Sequence, residues 1–348
     1  MSGNNLTMPA GGEVNIDKKV AFLREPGHYP AGAGRVEVIE THMSWVFLTE
    51  DRVYKLKKPV RYEFLDFSTL ESRRLDSERE VILNRRLAGD TYLRTLPLTL
   101  EKNGELRLDG DGEPVDWLVE MRRLPQDRTL EALILNRTVE PQDIDTISGL
   151  LNGFYAQQTP LLLSGKEYRA LFAGEIEENH EVLSRPAYGL PVELVQRLTS
   201  LQRSFLSSDT SLLEERVVGG RVIEGHGDLR PEHVFLTTPP VIIDCLEFNR
   251  NFRIIDPADE LSYLGLECER LGADWIGERL LQNYTKVSGD RCPGALIDFY
   301  RLFRACLRAK IAVWHVEDHQ INNAEKWLRR AKDYMVVAKR HLPAEPPA

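Results

Sequence analysis

Cysteine is scarce in this chain of 348 residues, and the few cysteines stand far apart. No two of them have the CxxC spacing that is typical of zinc sites, and their spacing suggests no disulfide framework. The four cysteines are Cys245, Cys268, Cys292 and Cys306. The sequence therefore predicts a reduced protein without a zinc knuckle.

Long apolar runs and an excess of basic residues are also missing. No stretch approaches the roughly 18–20 uncharged apolar residues of a membrane span, and the polar N-terminal stretch lacks the apolar core of a signal peptide. Lys and Arg number 45 against 54 Asp and Glu, a net charge of −9, which argues against broad nucleic-acid or membrane-surface binding. We therefore expect a soluble, cytoplasmic protein with small-molecule partners.

The patterning divides the chain into three parts. Residues 1–35 hold a Gly- and Asn-rich lead and one short helix, residues 36–125 are rich in β-type runs, and residues 126–348 are mostly helical. The predicted strands are 36–41, 45–49, 53–57, 98–101 and 116–124. The predicted long helices are 140–158, 168–184, 190–206, 257–285, 295–316 and 322–341. This order predicts an α+β fold, with a small antiparallel β lobe that contains one helix and a larger, mostly helical lobe.

Two of the helices have informative faces. SerThrLeuGlu at 68–71 has the spacing of a capping box and opens a helix that Gly89 ends. Its apolar positions roughly keep helical spacing and predict a buried stripe of Leu70, Leu75, Ile82, Leu83 and Leu87. In the helix at 295–316 the apolar residues share one side, and the polar side is predicted to hold Arg301, Arg304 and Arg308.

The densest group of reactive side chains is HisGlyAspLeuArgProGluHis at 226–233. A strand, a turn and a second strand follow, and they return Asp244 to the end of the hairpin that carries Asp228. Two carboxylates and an imidazole at one loop can hold a divalent cation and accept a proton from a hydroxyl, while Arg230 can stabilise a transferring phosphoryl group. These residues favour phosphoryl transfer over glycoside hydrolysis. The alternative is a solvated acidic loop without a catalytic role.

This motif resembles the catalytic loop of the aminoglycoside phosphotransferase family, the small-molecule branch of the protein-kinase-like fold. The resemblance covers roughly residues 36–315 and implies a bilobal fold, with ATP and Mg²⁺ as cofactors. The segments 40–48 and 54–59 further resemble an uncharacterised bacterial subgroup, some of whose members are fused to a second ATP-binding domain. No GxxxxGK[ST] motif occurs in the sequence, so we expect that domain to be absent.

The resemblance implies a role for each residue of the loop. Asp228 matches the catalytic base, His226 the histidine that braces the loop, and Arg230 the lysine that contacts the γ-phosphate in protein kinases. Asp244 matches the metal-binding Asp. His233 stands where the family has Asn as second metal ligand, so the site either binds metal more weakly, uses Mn²⁺ in place of Mg²⁺, or keeps only Asp244 as a direct ligand.

A kinase-like fold also needs a lysine on the third strand and a glutamate on the next helix to hold it. Lys55 is the best candidate because it lies mid-strand between apolar residues, whereas Lys57 and Lys58 are nearer the strand end. A solvated edge is the alternative for such a cluster of lysines. Glu80 is the expected partner because it flanks the predicted stripe, with Glu78 as second choice.

Three more residues complete the predicted nucleotide site. The turn between the first two strands, ThrHisMetSerTrp, contains no glycine, but its backbone N–H groups and the Ser44 hydroxyl can still cover phosphates. Glu120 and Met121, in the strand at 116–124, are the other candidates for nucleotide contacts.

The combined features predict an ATP-dependent phosphotransferase that acts on a hydroxyl of an amino sugar, an aminoglycoside or a metabolic alcohol. Only eleven residues separate Asp244 from Asp256, which leaves little room for the peptide-docking segment of a protein kinase. Acidic residues in this region favour a cationic acceptor: Glu247, Asp256, Asp259 and Glu260. The alternative is a nucleotide-binding pseudokinase with a regulatory role, which the glycine-free turn and the histidine at the second metal position favour.

Overall fold

The computed structural model describes residues 14–29, 32–62, 64–208, 210–317 and 323–343, so residues 1–13 of the lead predicted at 1–15 lie outside the described residues. Two compact units make up the chain. The sheet unit comprises the residues up to Pro125 together with Glu247–Asn249, and the helical unit comprises the remainder. None of the described helices is long and apolar enough to cross a membrane.

In the part of the sheet unit that the structure describes there are eight strands and two helices. The strands are β1 (Glu37–Glu40), β2 (Ser44–Leu48), β3 (Arg52–Lys57), β4 (Arg61–Tyr62), β5 (Leu65–Asp66), β6 (Tyr92–Leu100), β7 (Leu106–Leu108) and β8 (Glu113–Arg122). The helices are α1 (Ile16–Arg24) and α2 (Leu70–Ala88). Six strands form one antiparallel sheet in the order β1-β2-β3-β8-β6-β7, and β4 and β5 form a small separate hairpin.

Strand β3 divides its side chains between the two faces of this sheet. Tyr54 and Leu56 belong to the apolar core that α1 covers through Leu23. Because side chains alternate along a strand, Lys55 and Lys57 lie on the other face, where α2 packs. The sequence pattern of β3 therefore delivers two lysines to one helix.

Helix α2 buries a polar face, so the predicted apolar stripe was wrong. Leu75 and Ile82 are 46% and 66% exposed. The buried positions are Arg73, Asp76, Ser77, Glu80, Val81, Asn84, Leu87 and Ala88. The reason is that the sheet supplies charged partners, as when Arg73 Nε donates to Asp116 Oδ1 at 2.8 Å, and paired charges can be buried.

The helical unit holds nine helices and two short strand pairs among the residues that the structure describes. The helices are α3 (Leu130–Leu135), α4 (Pro141–Ala156), α5 (Gly165–Leu183), α6 (Val192–Ser208), α7 (Thr210–Val218), α8 (Pro257–Arg270), α9 (Trp275–Ser288), α10 (Gly294–Glu317) and α11 (Ala324–Arg340). The strands are β9 (Ile223–Glu224), β10 (Val234–Phe235), β11 (Val241–Ile242) and β12 (Ile254–Ile255), paired as β10-β11 and β9-β12. The predicted α+β class is thereby confirmed.

The single helix predicted at 257–285 is two helices. Gly272 adopts φ +91°, a left-handed conformation that ends α8, and the Asp274 side chain accepts from Trp275 N–H at the start of α9. The two helices then pack closely through Gly265 and Gly277, where a Cβ on either residue would lie within 3.0 Å of the other's Cα. The apolar periodicity continues across the turn, so the sequence pattern does not reveal where one helix ends and the next begins.

Helix α10 buries two of the arginines that were predicted on its polar side. Arg304 donates to Asp259 at 2.6 Å, and Arg308 donates to Glu267 at 2.9 Å. Both of these carboxylates belong to helix α8. All four side chains are nearly inaccessible. The polar side of α10 therefore faces another helix, with ion pairs in place of solvent.

Candidate active site

The hairpin formed by β10 and β11 brings the two ends of the predicted motif together. Val234 pairs with Ile242 and Phe235 with Val241, so the residues before β10 and after β11 are neighbours. Ile243 N–H donates to the His233 carbonyl at 3.0 Å. Asp244 follows directly, which places it at the same end of the hairpin as the loop 226–233.

Both carboxylate oxygens of Asp228 accept hydrogen bonds. Tyr263 Oη donates to Oδ1 at 2.8 Å, and Arg230 Nε donates to Oδ2 at 2.9 Å. Burial raises the pKa of Asp228, but the charges of Arg230 and Arg308 and the hydrogen bond from Tyr263 outweigh burial and hold the pKa at about 2. Asp228 is therefore ionised at neutral pH and fixed in orientation from two sides.

His226 braces the loop as a neutral ring. The side chain is wholly buried, and burial lowers its pKa to about 4. With the neutral ring, Nε2 donates to the Ile243 carbonyl at 2.9 Å and Nδ1 accepts from the Asp228 N–H at 3.3 Å. The ring thus ties the backbone of Asp228 to the strand that precedes Asp244.

Glu260 holds the same loop from helix α8. Its Oε1 accepts from the backbone N–H groups of His226 and Gly227, at 2.8 Å and 2.7 Å. Gly227 has φ +89°, which favours glycine at this position. From the sequence, Glu260 was predicted only as part of an acidic surplus, and Tyr263 was not predicted at all. Neither residue lies near the motif in the chain.

Arg230 and His233 contact each other directly. Arg230 Nη2 lies 2.9 Å from His233 Nε2, and His233 Nδ1 lies 2.9 Å from the Asp228 carbonyl oxygen. Guanidinium is only a donor and a carbonyl only an acceptor, so Nδ1 carries the proton and Nε2 accepts from Arg230. In this arrangement both ring nitrogens of His233 are engaged.

The two residues predicted as metal ligands differ in how well they suit a cation. Asp244 has a side chain 45% exposed and offers carboxylate oxygens, which Mg²⁺ prefers. His233 Nε2 lies 3.4 Å from Asp244 Oδ2, but its lone pair faces Arg230. Within the described residues, no group of three or more His, Cys, Asp and Glu side chains could hold a metal ion. Asp244 offers oxygens of the kind that a divalent cation prefers, whereas both ring nitrogens of His233 are engaged by other groups of the protein.

In the sheet unit, Glu80 contacts both candidate lysines. Its Oε1 lies 2.8 Å from Lys55 Nζ and its Oε2 lies 2.7 Å from Lys57 Nζ. The Lys55 side chain is 17% exposed, whereas Lys57 is wholly buried. Burial raises the pKa of Glu80, but the two lysines outweigh it and lower the pKa overall. Lys55 alone of the pair keeps some access to solvent.

Lys57 is the last residue of β3, as the sequence predicted, but it lies buried among three carboxylates and not at a solvated edge. Besides Glu80, its Nζ contacts Asp76 at 2.9 Å and Glu247 at 2.5 Å. These carboxylates outweigh the burial that lowers the pKa of Lys57, and its pKa is raised. Burial raises the pKa of Glu247 to about 7. The negative charges of Glu80 and Asp76 act on the pKa of Glu247 in the same direction.

The other predicted nucleotide contacts lie elsewhere on the sheet. Ser44 is buried and pairs with Lys57 in the β2-β3 register. Met121 is buried as well. The Glu120 carboxylate accepts from Tyr54 Oη at 3.4 Å and from Arg94 Nε at 2.9 Å, on the face opposite to Lys55. A nucleotide contact by Glu120 would therefore come from its backbone.

The acidic residues that favoured a cationic acceptor all have partners inside the protein. Asp256 accepts from Arg216 at 2.5 Å, and the partners of the other three are Lys57, Arg304 and the backbone of the loop 226–233. Each is buried. These carboxylates serve the fold and add little negative charge at the surface.

No family model matches the chain. Uncharacterized proteins of Mycobacterium tuberculosis and Mycobacterium bovis are 31% identical to it over 310 residues, which cover 88% of this chain and 60% of theirs. The chain therefore spans about 60% of the length of the curated relatives that it matches.

Two solved structures are similar in fold. The GDP complex of wild-type aminoglycoside 2'-phosphotransferase-IIIa has a TM-score of 0.51 and 16% identity, over 89% of this chain and 94% of that one. A choline/ethanolamine kinase family protein from Mesorhizobium loti has a TM-score of 0.50 and 16% identity, over 93% and 97%. The resemblance drawn from the sequence is confirmed at the level of the fold. The chain has the protein-kinase-like fold that aminoglycoside phosphotransferases and choline/ethanolamine kinases share.

Proposed function

We propose that this protein is a phosphotransferase that moves the γ-phosphate of ATP to a hydroxyl of a small molecule. The observation that carries the proposal is the environment of Asp228, which is ionised, held by Tyr263 and Arg230, and next to the hairpin that ends in Asp244. The fold supports it, because the similar structures are named as phosphotransferases and kinases of small molecules. Asp228, His226 and Arg230 are the proposed catalytic group.

In the proposed reaction, the acceptor hydroxyl donates a hydrogen bond to Asp228. A bond forms between the acceptor oxygen and the γ-phosphorus, the bond from that phosphorus to the β,γ-bridging oxygen breaks, and ADP leaves. The hydroxyl proton passes to Asp228. A carboxylate with a pKa of about 2 is a weak base, so its main contribution is to orient the hydroxyl until the proton becomes acidic late in the transfer.

The transferring group needs positive charge, and the chain offers it at two positions. Arg230 donates to Asp228, and we propose that one of the remaining N–H groups of its guanidinium turns toward a phosphoryl oxygen, since this group has five N–H donors. Lys55, held by Glu80 at 2.8 Å, is proposed to contact the phosphates of ATP. Asp244 would hold Mg²⁺, which when bound neutralises charge on the phosphate oxygens.

The test is nucleotide turnover by the full chain with ATP and with GTP, in Mg²⁺ and in Mn²⁺, against a panel of alcohols, sugars, amino sugars and aminoglycosides. We expect acceptor-dependent formation of nucleoside diphosphate that Asp228→Asn removes. Turnover that Asp228→Asn leaves intact would show that a contaminating kinase or another residue is responsible.

A nucleotide-binding pseudokinase is the alternative function. The observation that favours it is the hydrogen bond between Arg230 and His233 Nε2, which occupies the nitrogen that a second metal ligand would need. Binding of ATP in metal-free buffer, without turnover on any acceptor, is the result that this alternative requires.

A further inference from the structure

A cluster of charged side chains adjoins the catalytic loop within the helical unit. Arg230, which holds Asp228, donates from Nη1 to Glu232 Oε1 at 2.5 Å. The same oxygen lies 3.9 Å from Arg330 Nη2 of helix α11. Glu131 of α3 and Arg270 of α8 act electrostatically on this group. We call Glu131, Glu232, Arg270 and Arg330 the acceptor cluster.

The acceptor cluster contains polar atoms that none of the described protein groups satisfies. Glu232 Oε2, Arg270 Nη2, Arg330 Nε and Arg330 Nη2 are each buried and have no hydrogen-bond partner among the residues that the structure describes. Buried polar atoms are paired in the great majority of cases, and an unpaired one costs free energy. Four of them on three neighbouring side chains therefore indicate that water or a ligand supplies the missing partners.

The unsatisfied atoms favour an anionic ligand. Three of the four are guanidinium N–H donors, and one is a carboxylate acceptor. Glu232 is paired with Arg230 at 2.5 Å, although Arg230 also pairs with Asp228. Burial and the neighbouring Glu232 raise the pKa of Glu131, which weakens its negative charge.

The positive charges of Arg270 and Arg330 are only partly compensated by carboxylates of the protein. Arg270 Nε lies 3.1 Å from Glu267, but Glu267 also accepts from Arg308 and Tyr334. Among the described residues, the carboxylate contact of Arg330 is with Glu232 at 3.9 Å, longer than a hydrogen bond. Guanidinium N–H groups without partners, here Arg270 Nη2 and Arg330 Nε and Nη2, match the oxygens of a carboxylate or phosphate.

We propose that the acceptor cluster binds an anionic group, a phosphate or carboxylate, of the molecule whose hydroxyl faces Asp228, with Arg270 and Arg330 as the recognising residues. The inference rests on the proposed function, since it names the class of the acceptor. It replaces the cationic acceptor that the sequence suggested, because the carboxylates behind that expectation are paired inside the protein.

The first experiment measures ligand binding without any turnover. The full chain, saturated with ADP, is titrated with inorganic phosphate in a calorimeter, as wild type and as Arg270→Gln, Arg330→Gln and Arg330→Lys. The control is Arg329→Gln, on the same helix, whose side chain is 71% exposed. We expect each Gln variant to weaken phosphate binding by about ten-fold, the Lys variant by less, and the control to stay within about two-fold.

Several results would overturn the inference. Phosphate affinity that Arg270→Gln and Arg330→Gln leave unchanged excludes these residues. If Lys55→Ala alone weakens phosphate binding, the phosphate occupies the position proposed for the γ-phosphate of ATP and not the acceptor cluster. A crystal structure grown in phosphate that shows ordered waters, and no anion, on all four unsatisfied atoms shows that the cluster is merely hydrated. Thermal unfolding of every variant identifies those that fail to fold, and Arg330→Lys then replaces Arg330→Gln as the decisive variant.

The second experiment compares acceptors that differ only in charge: glucose, glucosamine and glucose 6-phosphate. We expect transfer from ATP to favour the anionic sugar, and Arg330→Gln to raise its KM by about ten-fold with kcat nearly kept. If transfer to glucosamine equals transfer to glucose 6-phosphate, and Arg330→Gln does not alter it, this inference is contradicted. The proposed function is preserved in that case. Phosphate binding that depends on Arg270 and Arg330, in a protein that transfers to no acceptor, supports an anion site and contradicts the proposed function.

Discussion

Glu80 joins Lys55 to Lys57 through the two oxygens of one carboxylate, at 2.8 Å and 2.7 Å. The two lysines are two residues apart on β3 and therefore point to the same face of the sheet. Their surroundings differ, because Lys57 has two further carboxylates, Asp76 and Glu247, and no exposure. This relationship gives the two lysines different expected roles.

Lys55→Ala is expected to affect phosphoryl transfer far more than stability. The partly exposed ammonium is the proposed phosphate contact, and Glu80 keeps Lys57 as a partner after the substitution. We expect kcat/KM for ATP to fall by about 100-fold or more, since a charged hydrogen bond to phosphate is lost together with Coulomb attraction. The measurement is steady-state kinetics beside urea unfolding, and an unchanged kcat/KM would exclude Lys55 from the nucleotide site.

Lys57→Met is expected to destabilise the fold. The substitution leaves Asp76, Glu80 and Glu247 near one another without their central cation, and loss of one partner of a buried ion pair costs roughly 3–5 kcal/mol. Urea unfolding at pH 7 gives the free energy of unfolding. Lys58→Met is the control, because Lys58 has a single carboxylate contact, with the half-exposed Glu40. Equal stability of the two variants would show that Lys57 is dispensable.

Glu247→Gln is expected to change how stability depends on pH. Burial raises the pKa of Glu247 from 4.5 to about 7 in the folded protein. A raised pKa means that the folded state binds the proton more tightly, so the stability from this group is complete below about pH 4.5 and is lost as pH rises toward 7. The variant, which cannot ionise, should remove a slope of at most about 1.4 kcal/mol per pH unit in that window.

The readout is the difference in free energy of unfolding between wild type and variant from pH 4.5 to 7.5. Glu71→Gln is a suitable control, because its side chain is 63% exposed on α2. Parallel curves for wild type and Glu247→Gln would mean that Glu247 ionises normally in the fold.

Asp228→Asn is expected to abolish transfer and to leave nucleotide affinity within about three-fold. The amide cannot accept the hydroxyl proton, and general-base residues typically contribute about 100-fold or more to the rate. Tyr263→Phe is the companion variant, since it removes one hydrogen bond to Asp228 and should lower kcat by a smaller factor. Transfer by Asp228→Asn at more than a tenth of the wild-type rate would refute the role.

His233→Asn separates the two interpretations of His233. If the ring is a metal ligand, an amide oxygen in its place should shift the preference from Mn²⁺ toward Mg²⁺. Because Nε2 accepts from Arg230, we expect instead an unchanged metal preference and a lower kcat, caused by a less firmly held Arg230. Rates with each metal for wild type and variant decide between them, and a clear shift toward Mg²⁺ would make His233 a ligand.

The parts of the candidate site that the sequence predicted are local in the chain. Asp228 and Asp244 are joined by one short hairpin, so alternation, a turn and a strand suffice to bring them together. The motif 226–233 could be recognised for the same reason, since its residues are contiguous. Glu80 was also predicted as the partner of Lys55, and the ion pair is present at 2.8 Å, although the apolar stripe used to choose Glu80 does not exist.

The parts that the sequence did not predict depend on residues far apart in the chain. Lys57 and Glu247 are 190 positions apart, and Tyr263 is 35 positions from Asp228. A lysine or a glutamate in a sequence is assigned to solvent by default, because burial of an unpaired charge is costly. That default fails wherever tertiary packing supplies the opposite charge.

The sequence by itself determined the α+β class, most of the helices and strands, and the order of reactive residues in the catalytic loop, because periodicity, turn residues and contiguous motifs are properties of neighbouring positions. The tertiary structure alone decided which charged residues are buried. It placed Lys57 among carboxylates, Glu260 beneath the loop and Arg330 beside Glu232. Such pairings depend on which elements meet in space, and their free energy follows from distance and burial, neither of which a linear pattern contains.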